Sequence, residues 1–207
     1  MPSESSKARP ETSPGGSAVL RYPREGHRPT GTEGELVPGA RKDREAVYDG
    51  FFGSCETVYH EVRPQIPHID VYAYRGGQKG REFCTLVTGG MSDLPMRLPP
   101  EAEGVRGVAR RVELIFYCSE PKSEYLETLR WLAAFPHACK TWIGSGHTIP
   151  NGDPPAPVWG SAELYTLLLM PTIVRPDNAL QKALSIAGDP VEFLWVVPLS
   201  QRSANSS

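Results

Sequence analysis

A chain of 207 residues is long enough for one domain with a real core plus a tail, needing neither metal nor disulfide staples to fold. Its 22 Lys and Arg nearly cancel 24 Asp and Glu, leaving a formal net charge of -2. No basic surplus advertises nucleic acid or an anionic membrane, so neither is expected as a partner.

Residues 1–42 carry proline or glycine at close intervals, mix both charge signs and offer a single aromatic, Tyr22. Such a stretch cannot bury enough apolar surface to offset its ordering entropy, and a disordered tail is expected. Arg21, Arg24 and Arg28 are interleaved with Glu25 and Glu33, which reads as a solvated linker and not a partner-binding arm. The pattern then changes, and residues 43–200 are expected to form the domain, followed by a disordered C-terminus over 201–207.

Val47, Phe51, Cys55, Val58 and Val62 recur near helical spacing, with Asp43 as N-cap and Pro64 as the stop, although Gly50 and Gly53 weaken this helix. After Pro67 the period becomes two: Ile69, Val71 and Ala73 alternate with Asp70, Tyr72 and Tyr74, and Gly76-Gly77 ends the strand in a turn. Phe83 to Thr88 is a second strand. Val112 to Cys118 is a third, with Val112, Leu114, Phe116 and Cys118 on one face and Glu113, Ile115 and Tyr117 on the other. Pro121 opens a helix whose stripe is Leu126, Leu129, Leu132 and Ala133, and Pro136 is expected to stop it. Leu164 to Met170 and Val191 to Val197 are near-continuous apolar runs, predicting central strands covered on both faces. Two helices among hairpin-linked strands argue for an α+β fold, a mostly antiparallel sheet with helices packed on it.

No apolar run reaches the roughly 18 residues of a membrane-spanning helix, and the first residues lack a signal-peptide layout, so a soluble cytoplasmic protein with no membrane partner is expected. Cys55, Cys84, Cys118 and Cys139 are widely spaced, and read as structural thiols in a reducing compartment.

Chemistry concentrates between Thr141 and Pro155, where glycines and prolines crowd Trp142, His147, Asn151 and Asp153 into one irregular stretch. Three readings are open there. His147 and Asp153 could polarise water or ligate a cation, although a ligand set would need more donors, with only His137 and Cys139 nearby. Asn151-Gly152-Asp153-Pro154 could simply build a turn, with His147 against Trp142 or Trp159. Or the loop could recognise a partner. Gly89-Gly90 after a strand could cradle phosphate, but neither G-x-x-x-x-G-K-[ST] nor G-x-G-x-x-G is present, and Asp93 more simply bonds loop amides. His68 and Asp70 could share a strand face, a pairing that is usually structural. With no G-x-S-x-G and no H-E-x-x-H, no catalytic residue, no metal ligand and no cofactor is assigned.

Taken together, Thr85-Leu86-Val87-Thr88-Gly89-Gly90-Met91-Ser92-Asp93-Leu94-Pro95-Met96, the Thr141 to Pro155 segment and Phe193-Leu194-Trp195-Val196-Val197-Pro198-Leu199 resemble the Suppressor of Fused family, above all its bacterial single-domain members. The resemblance implies a cofactor-free protein-binding domain. Animal members hold Gli-type transcription factors, clamping a peptide as an added strand between two domains, and bacterial relatives are proposed immunity proteins that neutralise toxin partners. No second domain is expected in these 207 residues to form that clamp. Carried over residue by residue, the resemblance implies partner-binding roles for Ser92, Asp93, Trp142, Gly146, His147, Asn151 and Asp153. A small metal-dependent hydrolase using His147 and Asp153 is the alternative.

Overall fold

The structure is a computed structural model, and it describes residues 36–62, 65–105, 108–152 and 154–200. Residues 1–35 of the expected tail, the expected stop at Pro64, Asp153 and the expected C-terminus 201–207 lie outside the described residues. Among the described residues, eight strands form one sheet: β1 (Thr57–Tyr59), β2 (Asp70–Tyr74), β3 (Cys84–Gly89), β4 (Arg111–Cys118), β5 (Thr148–Pro150), β6 (Leu164–Pro171), β7 (Ser185–Ile186) and β8 (Asp189–Ser200). Their order is β1-β2-β3-β4-β8-β6-β5, with β7 paired to β8. Every pairing is antiparallel except β4 with β8, which is parallel. This is the expected α+β fold.

The period-two pattern places two cores on opposite sides of the sheet. Ile69, Val71, Ala73, Leu86, Leu114, Phe116, Leu194 and Val196 face helix α2 (Ser123–Ala138), which buries Leu126, Leu129, Leu132 and Ala133 as its pattern predicts. Full burial of each such leucine is worth about 1.5–3 kcal/mol. On the other side Tyr72, Tyr74, Val87, Ile115 and Phe193 meet helix α1 (Ala40–Phe52) and the 3-10 segment Asp177–Lys182. The tyrosines bury their rings and keep their hydroxyls bonded: Tyr72 donates to Glu45 at 3.0 Å, Tyr74 to Asp49 at 3.1 Å and Tyr48 to the Thr88 carbonyl at 2.7 Å.

Several expectations change. Helix α1 begins at Ala40, ahead of Asp43, and ends at Phe52, because Gly53 takes a φ of 100° that closes it. Cys55 and Val58 therefore leave the helix, and Val58 lies in β1. The face that α1 buries is Ala40, Arg44, Tyr48 and Phe52, one position off the expected Val47 and Phe51 stripe. The shift follows from a charged residue in the buried row, which apolar periodicity cannot register. Pro136 lies inside the last turn of α2 instead of ending it; only His137 and Ala138 follow, so proline stands where the helix is already finishing. β6 is internal but leaves Leu164, Tyr165, Thr166, Leu168 and Met170 only partly covered, so it is not sealed on both faces.

Candidate functional site

Two loops that the sequence singles out are joined on the α2 side of the sheet. The first leaves β3 at Gly89 and makes a single 3-10 turn, Met91–Asp93. Gly90 is obligatory there: its φ is 115°, and a Cβ would fall 1.9 Å from the His68 carbonyl oxygen. The turn is held from below by Glu113 of β4, which is fully buried. Its carboxylate accepts from Thr88 Oγ1 at 2.6 Å, from the Gly90 and Ser92 amides at 3.0 Å each, and from Ser92 Oγ at 2.5 Å. Arg44 reaches in from α1, its Nε 3.5 Å from Glu113, while its Nη2 pairs with Asp93. Arg111 donates to the Ser92 and Asp93 carbonyls at 2.7 and 3.0 Å.

Burial pushes the Glu113 carboxyl above the usual carboxylate range, opposed by Arg44 and by the hydrogen bonds from Ser92 and Thr88. Burial works in the same sense against the charge on Arg44, but Glu113 and Asp93 outweigh it and raise the guanidinium above its ordinary value. Such a network fixes one conformation of the turn.

The second loop begins where α2 ends. Thr141 donates to the Pro136 carbonyl at 2.9 Å, and the Ile143 amide reaches Met96 Sδ at 3.5 Å, so the loop starts on the end of the first motif. His137 bonds the Met91 carbonyl at 3.1 Å and makes a second tie. The stretch is less irregular than its composition suggests. Gly146 donates to the Leu169 carbonyl at 2.7 Å, Leu169 returns a bond to His147 at 2.9 Å, and β5 continues the ladder on β6. Beyond β5 the Asn151 side chain donates to the carbonyls of Ala156 and Pro157 at 3.2 and 2.9 Å, closing the turn around Gly152.

On this frame Trp142 and His147 meet edge to face, ring centres 4.4 Å apart. Gly144 permits that contact, since a Cβ there would sit 2.9 Å from the Trp142 ring. Burial lowers the His147 pKa, which keeps the imidazole neutral at physiological pH. Trp142 and His147 are half-buried, whereas Ser145, Gly146, Thr148, Pro150 and Gly152 are exposed. Nearby, Trp159 adopts φ 53° and ψ 35°, its ring packed on Phe116 and Tyr125 and its Nε1 donating to Thr128 Oγ1 at 2.9 Å.

The residues expected to bind a partner thus divide. Gly146, His147, Trp142 and Asn151 share the β5 loop. Ser92 is fully buried and Asp93 mostly so, both engaged in the Glu113 and Arg44 network at the base of the other loop. Sequence reasoning placed Glu113 on the strand face of Ile115 and Tyr117, as found, but gave neither it nor Arg44 a role, yet these two charges set the turn. A signal was present in each: a lone carboxylate within Val112 to Phe116, and an arginine four residues before Tyr48. His68 and Asp70 do pair, with His60 as a further partner of the same carboxylate, all at 3.1 Å, which ties the start of β2 to the segment after β1. Among the described residues, no three His, Cys, Asp or Glu side chains converge as a metal-ligand set. His147 touches a tryptophan ring, and among the described residues, which leave out Asp153, no activating carboxylate is placed beside it.

Comparison with curated proteins finds no match. A crystal structure from Neisseria gonorrhoeae, of a protein described as a homolog of suppressor of fused protein, superposes with a TM-score of 0.55 over 80% of this chain and 80% of its own, at 16% identity. At that identity the likeness establishes the fold. The sequence profile of Suppressor of fused protein (SUFU) matches residues 65–206, which spans both loops and every strand from β2 to β8. The chain belongs to the Suppressor of fused family.

Proposed function

We propose that this domain acts by stoichiometric binding of a protein partner, without catalysis, through the β5 loop from Trp142 to Asn151. The observation that carries this reading is the combination of exposure and rigidity: rings and polar groups stand at a sheet edge on backbone tied at both ends to β6. A preorganised loop of that kind loses little entropy on binding. Pro150 has no N–H to offer a further strand at this edge, so contact is made by side chains and not by strand addition. Ser92 and Asp93 act from behind, holding the turn on which Met91 and Met96 support the loop.

Within this reading the proposed partner is a toxin-type polypeptide, held in check by an immunity-type binder. A cytoplasmic place of action belongs to the same proposal; among the described residues no helix is long and apolar enough to cross a membrane. The test is affinity capture from the native cell, with mass spectrometry, using the full chain and a variant carrying Thr148→Arg and His147→Ala. Thr148 is exposed and His147 half-buried on the loop, so circular dichroism should be unchanged while a stoichiometric partner is lost. Equal capture by the folded variant would remove the loop from the interaction.

A further inference from the structure

Cys84 is the first residue of β3 and Cys118 the last of β4, and the two are direct register partners. Residues directly opposite on antiparallel strands hold their Cβ atoms about 4.5–5.5 Å apart, and a disulfide asks for about 3.5–4.5 Å, so only a small approach separates this pair from a bond. Both are free thiols, and each perturbs the titration of the other. The other cysteines have no such neighbour: Cys55 contacts the Thr57 and Ala73 carbonyls at 3.5 and 3.7 Å, and Cys139 caps α2. Exposure is asymmetric across the pair, with Cys84 buried in the α2-side core and Cys118 half-buried at its margin.

We infer that Cys84 and Cys118 are a modification site, closing to a reversible cross-strand disulfide when a small hydroperoxide oxidises the pair. The pairing supplies the nucleophile. Within it the Cys84 pKa is shifted down and the Cys118 pKa up, each chiefly by its neighbour, so the first proton is lost from the pair. Cys118 is the sulfur a small oxidant can reach, and it reacts as thiolate when the remaining proton of the pair rests on Cys84. Cys118 then attacks one peroxide oxygen; the O–O bond breaks, the departing hydroxide takes a proton to become water, and Cys118 becomes a sulfenic acid. Cys84 attacks the Cys118 sulfur, the S–O bond breaks, and a second water leaves with the Cys84 proton. Two thiols have lost two electrons and two protons, and the peroxide has become two waters.

The new bond would staple the start of β3 to the point where β4 turns toward α2. The full chain treated with hydrogen peroxide should lose about 2 Da, regained with dithiothreitol, and its digest should contain one linked peptide joining Cys84 to Cys118. Its Tm should rise by about 5 °C or more, since the bridge closes a long loop. Cys118→Ser should abolish the mass loss with an unchanged circular dichroism spectrum. A linkage through Cys55 or Cys139, oxygen adducts without mass loss, or no reaction at excess peroxide would each overturn the assignment. Should Cys118→Ser fail to fold, the wild-type linkage map decides the matter alone.

Discussion

Removing the Glu113 carboxylate should cost this fold a large part of its stability. In Glu113→Ala the Gly90 and Ser92 amides and the Ser92 and Thr88 hydroxyls lose their common acceptor, and Arg44 keeps only Asp93. At the 3.5 Å between Arg44 and Glu113, a pair at an effective dielectric of about 20 attracts by about 5 kcal/mol before desolvation. Desolvation cancels much of that gain, but truncating one partner of a buried, hydrogen-bonded pair typically costs about 3–5 kcal/mol, because the survivors stay buried and unsatisfied. We therefore expect about 4 kcal/mol and a Tm lower by about 8–16 °C. Urea unfolding followed by circular dichroism measures it, together with a cycle of Glu113→Gln, Arg44→Met and the double variant. The cycle should show about 2 kcal/mol of coupling, since removing both charges spares each the cost of an unpaired partner. A loss below about 1 kcal/mol for Glu113→Ala, or additivity within about 0.3 kcal/mol, would refute the view that this pair organises the first loop.

Two further perturbations follow from the same region. Gly90→Ala must displace the His68 carbonyl that stands 1.9 Å from the new Cβ, at a φ that alanine resists, so a cost above about 3 kcal/mol and loss of soluble protein are expected; Gly104→Ala, also at positive φ but facing open space, should cost only about 1 kcal/mol by the same denaturation assay. Burial pushes the His137 pKa down to about 4, against a smaller upward pull from the Met91 carbonyl. The folded state therefore resists protonation that the unfolded chain accepts near pH 6.5, and stability should fall as pH drops from about 6.5 to about 4, by up to about 3 kcal/mol. His137→Gln should flatten that part of the stability profile, and an unchanged slope would show that another group titrates there.

β2, β3, β4, β6 and β8 were readable because each alternates or runs apolar over at least five residues, and both faces of β2 and β3 found a core. Helix α2 was readable for the same reason, its leucines lying in one row. Helix α1 was not, since its buried row mixes Arg44 with Tyr48 and Phe52, and the arginine is admitted to the interior only by carboxylates 49 and 69 positions further along the chain. Asp93 and Glu113 declare no such partnership locally. β1 and β5 have three residues each and exist by pairing with longer neighbours, a tertiary cause invisible to a local window. Within the candidate site, the Asn151 turn and the Trp142 and His147 contact were among the readings open in the sequence. The inward placement of Ser92 depends on Glu113, which period-two reasoning put on the correct strand face but could not pair with Ser92 or Arg44.

The parallel contact between β4 and β8 also bears on how the polypeptide comes to be folded. β1 to β4 are a meander that can assemble as it is made, each strand folding back on its predecessor. β8 follows every other described strand in the chain, yet it occupies the middle of the sheet, between β4 and β6. During synthesis the open side of β4 must wait for residues 189–200, more than 70 positions downstream, while β5 and β6 have nothing to join them to the meander. Long-range closure of that kind is slow, and it leaves an apolar strand edge unsatisfied meanwhile. The nascent chain therefore passes through an interval in which a chaperone, or a waiting partner, has the most to bind.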